Sequence, residues 1–424
     1  MDFRMNAGAT AKTTVWELLA ERDYRRLLGS QFTGQAADGV AQGLFATELV
    51  LDPLAQGTPG RILSLFALTL LPYSVVSPFL GVFVDRWDRR RVLIGTNVAR
   101  TLLLLTLPLW AWGLPGDLGL MVGILGLLGF GRLFHTTKGA VLPVVLHEHH
   151  LVRGNTLSSV GGTLSVVAGG AVGLWVGGWA GTGTALAATG LVYLIGAFFA
   201  RLIQTDLKHR RREAENLSDA LVRVAHELVD GLRTVVTRRP AAFGLASIFG
   251  MRTITVLVAI GVILTIKTEF SGTASPGGFA LGAAGAGAFV ASLAAPALGD
   301  RFPKPRLIMA GFVVAGVGMI ALGGIGTLPA VLGLMAMLGL GGFISKVAAD
   351  SQIQEALPDI YRGRGFALYD ILYNMASVAA GAIYVLVEPT PVRSMLIASG
   401  VVTIAVGTGI GAAMRPDDRA GAKA

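Results

Sequence analysis

Twelve apolar runs, each about the length a helix needs to cross a bilayer, alternate with short polar joints along this chain. They fall at 27–50, 62–83, 92–112, 118–138, 157–178 and 182–203, then at 242–266, 277–298, 307–326, 328–350, 365–387 and 394–413. Between the sixth and seventh lies the longest polar stretch, 204–240. Within it Leu217, Leu221, Val224, Leu228, Leu232 and Val235 recur at helical spacing, with Arg223, Glu227 and Arg233 elsewhere on the wheel. The spacing predicts an amphipathic helix lying flat on one membrane face. The pattern predicts an all-α integral membrane protein: twelve transmembrane helices in two pseudo-symmetric six-helix bundles. The units are an N-terminal segment 1–26, a first bundle 27–203, a linker 204–240, a second bundle 241–413 and a tail 414–424.

Repetition supports the two halves. Gly81-Val-Phe-Val-Asp85-Arg86-Trp-Asp-Arg89-Arg90-Arg91 follows the second run. A degraded copy, Gly299-Asp300-Arg301-Phe-Pro-Lys304-Pro-Arg306, follows the eighth. A charged hinge recurring in both halves of a hydrophobic chain is the plan of a secondary transporter.

Composition changes the picture only by fixing the solvent. Of 424 residues 53% are hydrophobic and 14% charged, against about 25% charged in soluble domains. The 58 glycines suit helices that approach closely in lipid. The absence of cysteine excludes disulfides and thiolate-held metal or iron–sulfur centres.

The net charge of +9 is informative through its placement. Arg22, Arg25, Arg26, Arg86, Arg89–Arg91, Lys208, Arg210–Arg212, Arg301, Lys304, Arg306, Arg415 and Arg419 all fall on one side of the predicted helices. The other side holds little beyond Arg61, Lys267 and Arg393. The positive-inside rule makes the first side, and both termini, cytoplasmic in the cell membrane. Trp110, Trp112 and Trp179 fall at the outer ends, where an aromatic belt belongs. The charge therefore reads as topology and not as a nucleic-acid surface, and no cleavable leader is evident.

Polar groups inside the runs carry the chemistry. A carboxylate at a helix centre costs about 2.5–3.5 kcal/mol on insertion scales, and Asp38 is near mid-bilayer. Gln31, Gln35, Asp38 and Gln42 step by four, three and four, so they share a helix face. That face is expected to look into a wet cavity, with Asp38 binding and releasing a proton in each cycle or, alternatively, held as a paired structural residue. Arg132 and His135 on the fourth run, Arg252 on the seventh and Asn374 on the eleventh are the other cavity candidates. Arg132 or Arg252 is the expected partner of Asp38. Arg100 on the third run is assigned to a packing or gate network. Lys346 and Asp350, four apart on the tenth, read as a structural pair. Gly81, Asp85, Arg86, Arg89, Arg90, Asp300 and Arg301 form a candidate gate. Gly81 permits close helix approach, and Asp85 is suited to accept from the first amides of the eleventh helix.

The pattern Gly81-x-x-x-Asp85-Arg86-x-x-Arg89-Arg90 after a second span resembles the signature loop of the major facilitator superfamily. Gln31 through Asp38-Gly39 is similar to the Gln…Gly-Asp-Gly pattern of that superfamily's third drug:proton antiporter family. Leu142-Pro143 with Leu151…Asn155-x-Leu157, Gly231-Leu-Arg233 with Arg239-Pro240, and Pro358…Arg362-Gly-Arg364 extend the likeness over nearly the whole chain. The fifth span reads Gly169-Gly170-Ala-Val-Gly173, without the proline that proton antiporters often carry there. The resemblance implies alternating access, a central cavity lined by the first, fourth, seventh and tenth spans, and a latch at the charged loop. It also implies relatives that export macrolides and siderophores or carry lysophospholipids.

The expected function is proton-coupled export of a moderately hydrophobic small molecule by a monomer in contact with membrane lipid. The alternatives are a lipid carrier without obligatory proton coupling, and a non-transporting scaffold or sensor. No cofactor, metal or nucleic-acid partner is expected. His147-Glu148-His149-His150 is set aside as a metal site because adjacent loop residues rarely converge on one ion. No phosphate-binding Gly-x-x-x-x-Gly-Lys appears, and no nucleophile–base pair marks an enzyme.

Overall fold

The structure is a computed structural model that describes residues 15–46, 59–84, 86–110, 113–115, 118–147, 150–177, 180–207, 216–270, 275–387 and 391–414. The described residues are almost wholly helical. In chain order the helices are α1 (Val15–Ala20), α2 (Arg22–Ala46), α3 (Pro59–Val76), α4 (Leu80–Val84), α5 (Arg89–Trp110), α6 (Leu118–Val145), α7 (Leu151–Gly177) and α8 (Thr182–Leu202). There follow α9 (Leu217–Thr237), α10 (Arg239–Glu269), α11 (Ser275–Arg301), α12 (Lys304–Leu322), α13 (Leu328–Ala356), α14 (Asp359–Val387) and α15 (Val392–Ala413).

Ten of these, α5 to α8 and α10 to α15, are long and apolar enough to cross a membrane. The first predicted span is α2, whose polar stripe lowers its mean hydropathy. The second is not one continuous helix as the apolar run predicts. It breaks into α3, a 3-10 turn at Ser77–Phe79, and α4. Pro78 explains the break, because it lacks an N–H and its ring crowds the preceding turn.

Helices α2, α3 and α5 to α8 pack together as the first bundle, and α10 to α15 as the second. Close approach depends on missing side chains. A Cβ on Gly39 of α2 would overlap the carbonyl oxygen of Val166 on α7, and one on Gly287 of α11 would overlap that of Ala336 on α13. Outward-facing side chains such as Leu109, Phe198, Leu293 and Val401 are exposed, which lipid tolerates and water does not.

The chain alternation gathers Arg22, Arg89–Arg91, Arg201, Arg239, Arg301 and Lys304 at one end of the molecule, the basic end. Toward the opposite end the bundles touch. Gly381 of α14 lies against Leu63 and Phe66 of α3, and Gly278 of α11 against Ala171 and Leu174 of α7. At the basic end α9 packs on α14, α10 and α4. Ala220 and Val235 of α9 are buried, while Leu232, predicted on the same face, is exposed. The covered arc is narrower than the apolar arc.

The cores of the two bundles differ. The second has one continuous apolar cluster that includes Leu245, Phe312, Leu334 and Tyr384. The first has two. One surrounds Tyr24, Leu27, Leu93 and Val141, and the other surrounds Leu44, Leu104, Leu107 and Leu186. The candidate site occupies the layer between them.

Candidate functional site

Three helices of the first bundle contribute to a buried ionic cluster. Arg100, midway along α5, is 1% exposed and reaches Asp38 of α2, whose side chain is 15% exposed. Its Nη1 donates to both carboxylate oxygens, at 2.9 and 3.1 Å. Tyr193 of α8 donates its hydroxyl to Asp38 Oδ1 at 2.6 Å. The rest of the guanidinium is also engaged. Nη2 donates to Asn97 Oδ1 at 3.0 Å and Nε to the Thr96 carbonyl at 3.4 Å. The Tyr193 and Phe134 rings lie 4.6 and 5.3 Å away, in cation–π range. Each charge is thus matched by an opposite charge and hydrogen bonds, the condition for ions to persist in a low-dielectric layer. The partner of Asp38 is Arg100, and not Arg132 or Arg252 as the sequence reading expects. The reason is which groups each arginine meets: Arg100 reaches Asp38 within the first bundle, whereas Arg132 is paired with Asp370 of α14 and Arg252 is held by Tyr373 and Ser377 in the second bundle.

Beside the cluster lies a cavity of about 160 Å³ whose lining comes from α2, α3, α6 and α7. Asp38, Gln42, Tyr73, Arg132 and His135 supply its polar groups. Phe45, Ile124, Leu127, Leu128 and Val166 supply apolar wall. Arg132, near the middle of α6, forms an ion pair with Asp370 of α14. That contact joins the two bundles.

The other predicted cavity residues lie elsewhere. Gln31 and Gln35 sit nearer the basic end than Asp38, where α7 runs against α2. Gln31 is buried; its amide donates to Gln35 Oε1 at 2.7 Å and to the Ser158 carbonyl at 2.8 Å, and it accepts from Ser158 Oγ at 2.6 Å. Lys138 of α6 donates to the same Ser158 hydroxyl at 2.9 Å. These two glutamines fasten α2 to α7 and do not line the cavity. Arg252 lies over the Tyr373 ring at 4.3 Å and donates to Ser377 Oγ at 3.2 Å. Asn374 donates back to the Asp370 carbonyl at 2.8 Å. Lys346 donates to Asp350 Oδ2 at 2.6 Å.

At the basic end Arg89 donates to the Ala140 carbonyl at 3.3 Å and Arg90 to that of Thr205 at 2.7 Å. Both grip their own bundle. Asp88 accepts from the Arg90 amide at 2.9 Å and so caps α5. Gly81 falls within α4, and Arg86, Asp300 and Arg301 are exposed. Asp85 lies outside the described residues, as do Trp112, Trp179, Glu148 and His149. Loop residues His147 and His150 meet a group from another element: Glu21, just before α2, lies 2.8 Å from His147 Nδ1.

The sequence matches the profile of the Major Facilitator Superfamily over residues 30–381, and again over 241–424. The chain belongs to the Major Facilitator Superfamily. An uncharacterized transporter of this superfamily from Mycobacterium tuberculosis is 29% identical over 380 residues, 86% of this chain and 85% of the relative. A putative bacilysin exporter of Bacillus subtilis is 32% identical over 217 residues, about half of each chain. Macrolide efflux protein A of Enterococcus faecalis is 34% identical over 95 residues, 22% of this chain and 29% of that protein. A POT family transporter crystallised with 5-aminolevulinic acid shares the fold, with TM-score 0.69 at 12% identity, covering 92% of this chain and 95% of the other. The nucleoside transporter NupG does likewise, with TM-score 0.66 at 12% identity and coverage of 93% and 100%.

As a superfamily member the chain is a multi-pass membrane transporter, and its exporter relatives indicate small-molecule substrates. Sequence reasoning missed Tyr193 and Ser158 as site residues; Asp370 shares a face of the eleventh span with Asn374 and Ser377 but was not placed among the cavity candidates. Asn97 and Arg100, three apart on an apolar helix, form the same kind of polar stripe that marked α2, and that signal was available.

Proposed function

We propose that this transporter exports a moderately hydrophobic small molecule across the cell membrane by alternating access, driven by inward proton flow. The observation that carries the reading is the mid-span cavity, where a few ionic groups stand among apolar walls, the mix that binds the body of an amphipathic molecule and orients its polar end. Its volume of about 160 Å³ corresponds to a handful of waters at ~30 Å³ each, so the bundles must part to admit a whole substrate. The basic end, and with it both termini, is cytoplasmic by the charge asymmetry. Segments 27–203 and 241–413 rock against each other as a monomer, and 204–240 links them. The relatives include a putative bacilysin exporter and a macrolide efflux protein, which supports outward transport.

The test is reconstitution into liposomes with an imposed proton gradient. The probes are a macrolide, a fluorescent amphipathic cation and a labelled lysophospholipid, each with and without a protonophore. Gradient-driven movement of the macrolide or the cation, abolished by the protonophore, is expected. Movement of the lysolipid alone, indifferent to the protonophore, would replace this reading with that of a lipid carrier.

A further inference from the structure

Asp38, Arg100 and Tyr193 lie on α2, α5 and α8 of one bundle. Rotating one bundle against the other carries all three together and leaves their distances unchanged. The Arg132–Asp370 pair behaves differently. Arg132 belongs to the first bundle and Asp370 to the second, so relative motion acts directly on this contact. The two side chains are 29% and 31% exposed, and Arg132 shares the cavity wall with Tyr73 and His135. The Nε of Arg132 is buried and meets no acceptor among the described residues, so Asp370 engages only part of its hydrogen-bonding capacity.

We infer that Asp370 is the carboxylate that exchanges Arg132 for a proton as the bundles move, and that it, in place of Asp38, couples proton entry to export. This rests on the proton-driven reading above. With the bundles touching at the end opposite the basic end, Asp370 is ionised and its charge is met by Arg132. When rotation withdraws Arg132, an ionised carboxylate would remain inside the span without a counter-charge, a costly arrangement. One proton from the outer solution takes the place of the guanidinium. On return Arg132 displaces that proton, which leaves to the cytoplasm. One proton crosses per cycle, and both side chains end as they began.

The surroundings leave this exchange to Arg132. Helix α14 packs on α3, α9, α10 and α13. From α3 comes Tyr73, and from α10 comes Arg252, which is committed to Tyr373 and Ser377. From α13 come Lys346 and Asp350, hydrogen-bonded to each other beside Tyr369. From α9 comes Glu227, paired with Arg364 nearer the basic end. Arg252, Lys346 and Asp350 ride on the same bundle as Asp370, so rocking does not bring a substitute cation to it.

The absence of native cysteine permits a direct test. Spin labels on Arg201→Cys and Ala412→Cys, both exposed at the basic end, report the separation of the bundles in nanodiscs. In the otherwise unaltered protein, lowering pH from about 8 to about 5 is expected to shift the ratio of long to short distances about tenfold toward short. Asp370→Asn should hold the short population at both pH values, with a change under about twofold. Asp370→Glu should restore the switch, and the double variant Asp38→Asn/Arg100→Leu, whose distances should broaden because the layer that registers α6 is gone, should still shift toward short as pH falls. A pH switch that persists in Asp370→Asn, or is lost only in the Asp38/Arg100 variant, overturns the assignment to Asp370. A parent protein whose distances ignore pH, and whose transport ignores the protonophore, overturns the proton-driven reading beneath it as well.

Discussion

Removing Arg100 tests whether the buried cluster behaves as a structural unit. At 2.9 Å and an effective dielectric of about 20, the Arg100–Asp38 attraction is about 6 kcal/mol before desolvation. Dehydrating each ion costs several kcal/mol, so the intact pair adds little net stability. Deleting one partner is another matter, because the survivor keeps its dehydration cost and loses its compensation. Arg100→Leu strands Asp38, and Asp38→Asn strands a guanidinium that is 1% exposed. Each single change should cost about 3–5 kcal/mol. The double change to Asn and Leu removes both charges and should cost less than the sum by at least about 2 kcal/mol. Tyr193→Phe, which deletes a 2.6 Å hydrogen bond to a charged acceptor, should cost about 1.5–3 kcal/mol. The assay is reversible unfolding in mixed micelles by titrated SDS, followed by tryptophan fluorescence. Single losses that simply add up in the double variant would refute the reasoning, because additivity means the two charges do not compensate each other.

Three further outcomes follow from local geometry. Burial pushes the Asp23 carboxyl up, but hydrogen bonds from Thr205 Oγ1 and its amide at 2.5 and 2.7 Å, with Arg26 and the Gln204 amide, bring it down to about 2. A depressed carboxyl stabilises the fold above its unfolded value near 4 and loses that contribution as pH falls toward 2. Asp23→Asn should therefore be destabilised by about 1–2 kcal/mol at neutral pH, and its gap to the parent should close in chemical unfolding between about pH 4 and pH 2. Gly39→Ala puts a methyl against the Val166 carbonyl oxygen and should lower the thermal midpoint through about 1–3 kcal/mol of overpacking, whereas the same change at Gly95, where nothing lies within 4 Å, should leave it unmoved. Lys346→Gln should cost more than the ~1 kcal/mol of a surface pair in unfolding, because Asp350 is only 22% exposed and keeps its dehydration cost without its cation.

Much of the architecture can be read from the chain, because lipid imposes a simple length rule and charge asymmetry fixes which helix ends share a side. The linker helix was also legible, since Leu221, Val224 and Val235 keep helical spacing whatever they pack against. The break after Val76 was less so: hydropathy treats Ser77-Pro78-Phe79 as part of an apolar run, and only the backbone chemistry of Pro78 interrupts it. Within the site, Asp38 announced itself by its insertion cost, but its partner did not, because pairing depends on which helices touch. Arg100 is 62 residues away in sequence and Tyr193 155. Gln31 and Asp38 share a helix face, yet α7 covers that face near the basic end and leaves it open farther along, a distinction no periodicity contains. Asp370 could not be ranked above Asp38 by depth alone.

The unequal cores of the bundles indicate how the labour is divided. The second bundle's cluster runs unbroken past Phe312 and Leu334, so that bundle can move as one packed body. The first is divided by the Asp38–Arg100–Tyr193 layer, where an apolar core of equal volume would be at least as stable. What the layer adds is directional holding. Arg100 is bound by groups from α2, α5 and α8, with Phe134 of α6 against its face, so four helices are registered at one depth. Arg132 lies two residues before Phe134 on α6, and its place in the cavity is set by the same registration. The buried pair thus positions the arginine that meets the other bundle. It follows that Phe134→Ala, which removes the α6 contact without touching any charge, should loosen Arg132 and weaken the Asp370 contact. In the spin-label experiment it should broaden the distance distribution at both pH values while Asp38 and Arg100 stay paired. A distribution as narrow as the parent's would mean that α6 is placed by its apolar contacts alone and that the ionic layer has no part in the gate.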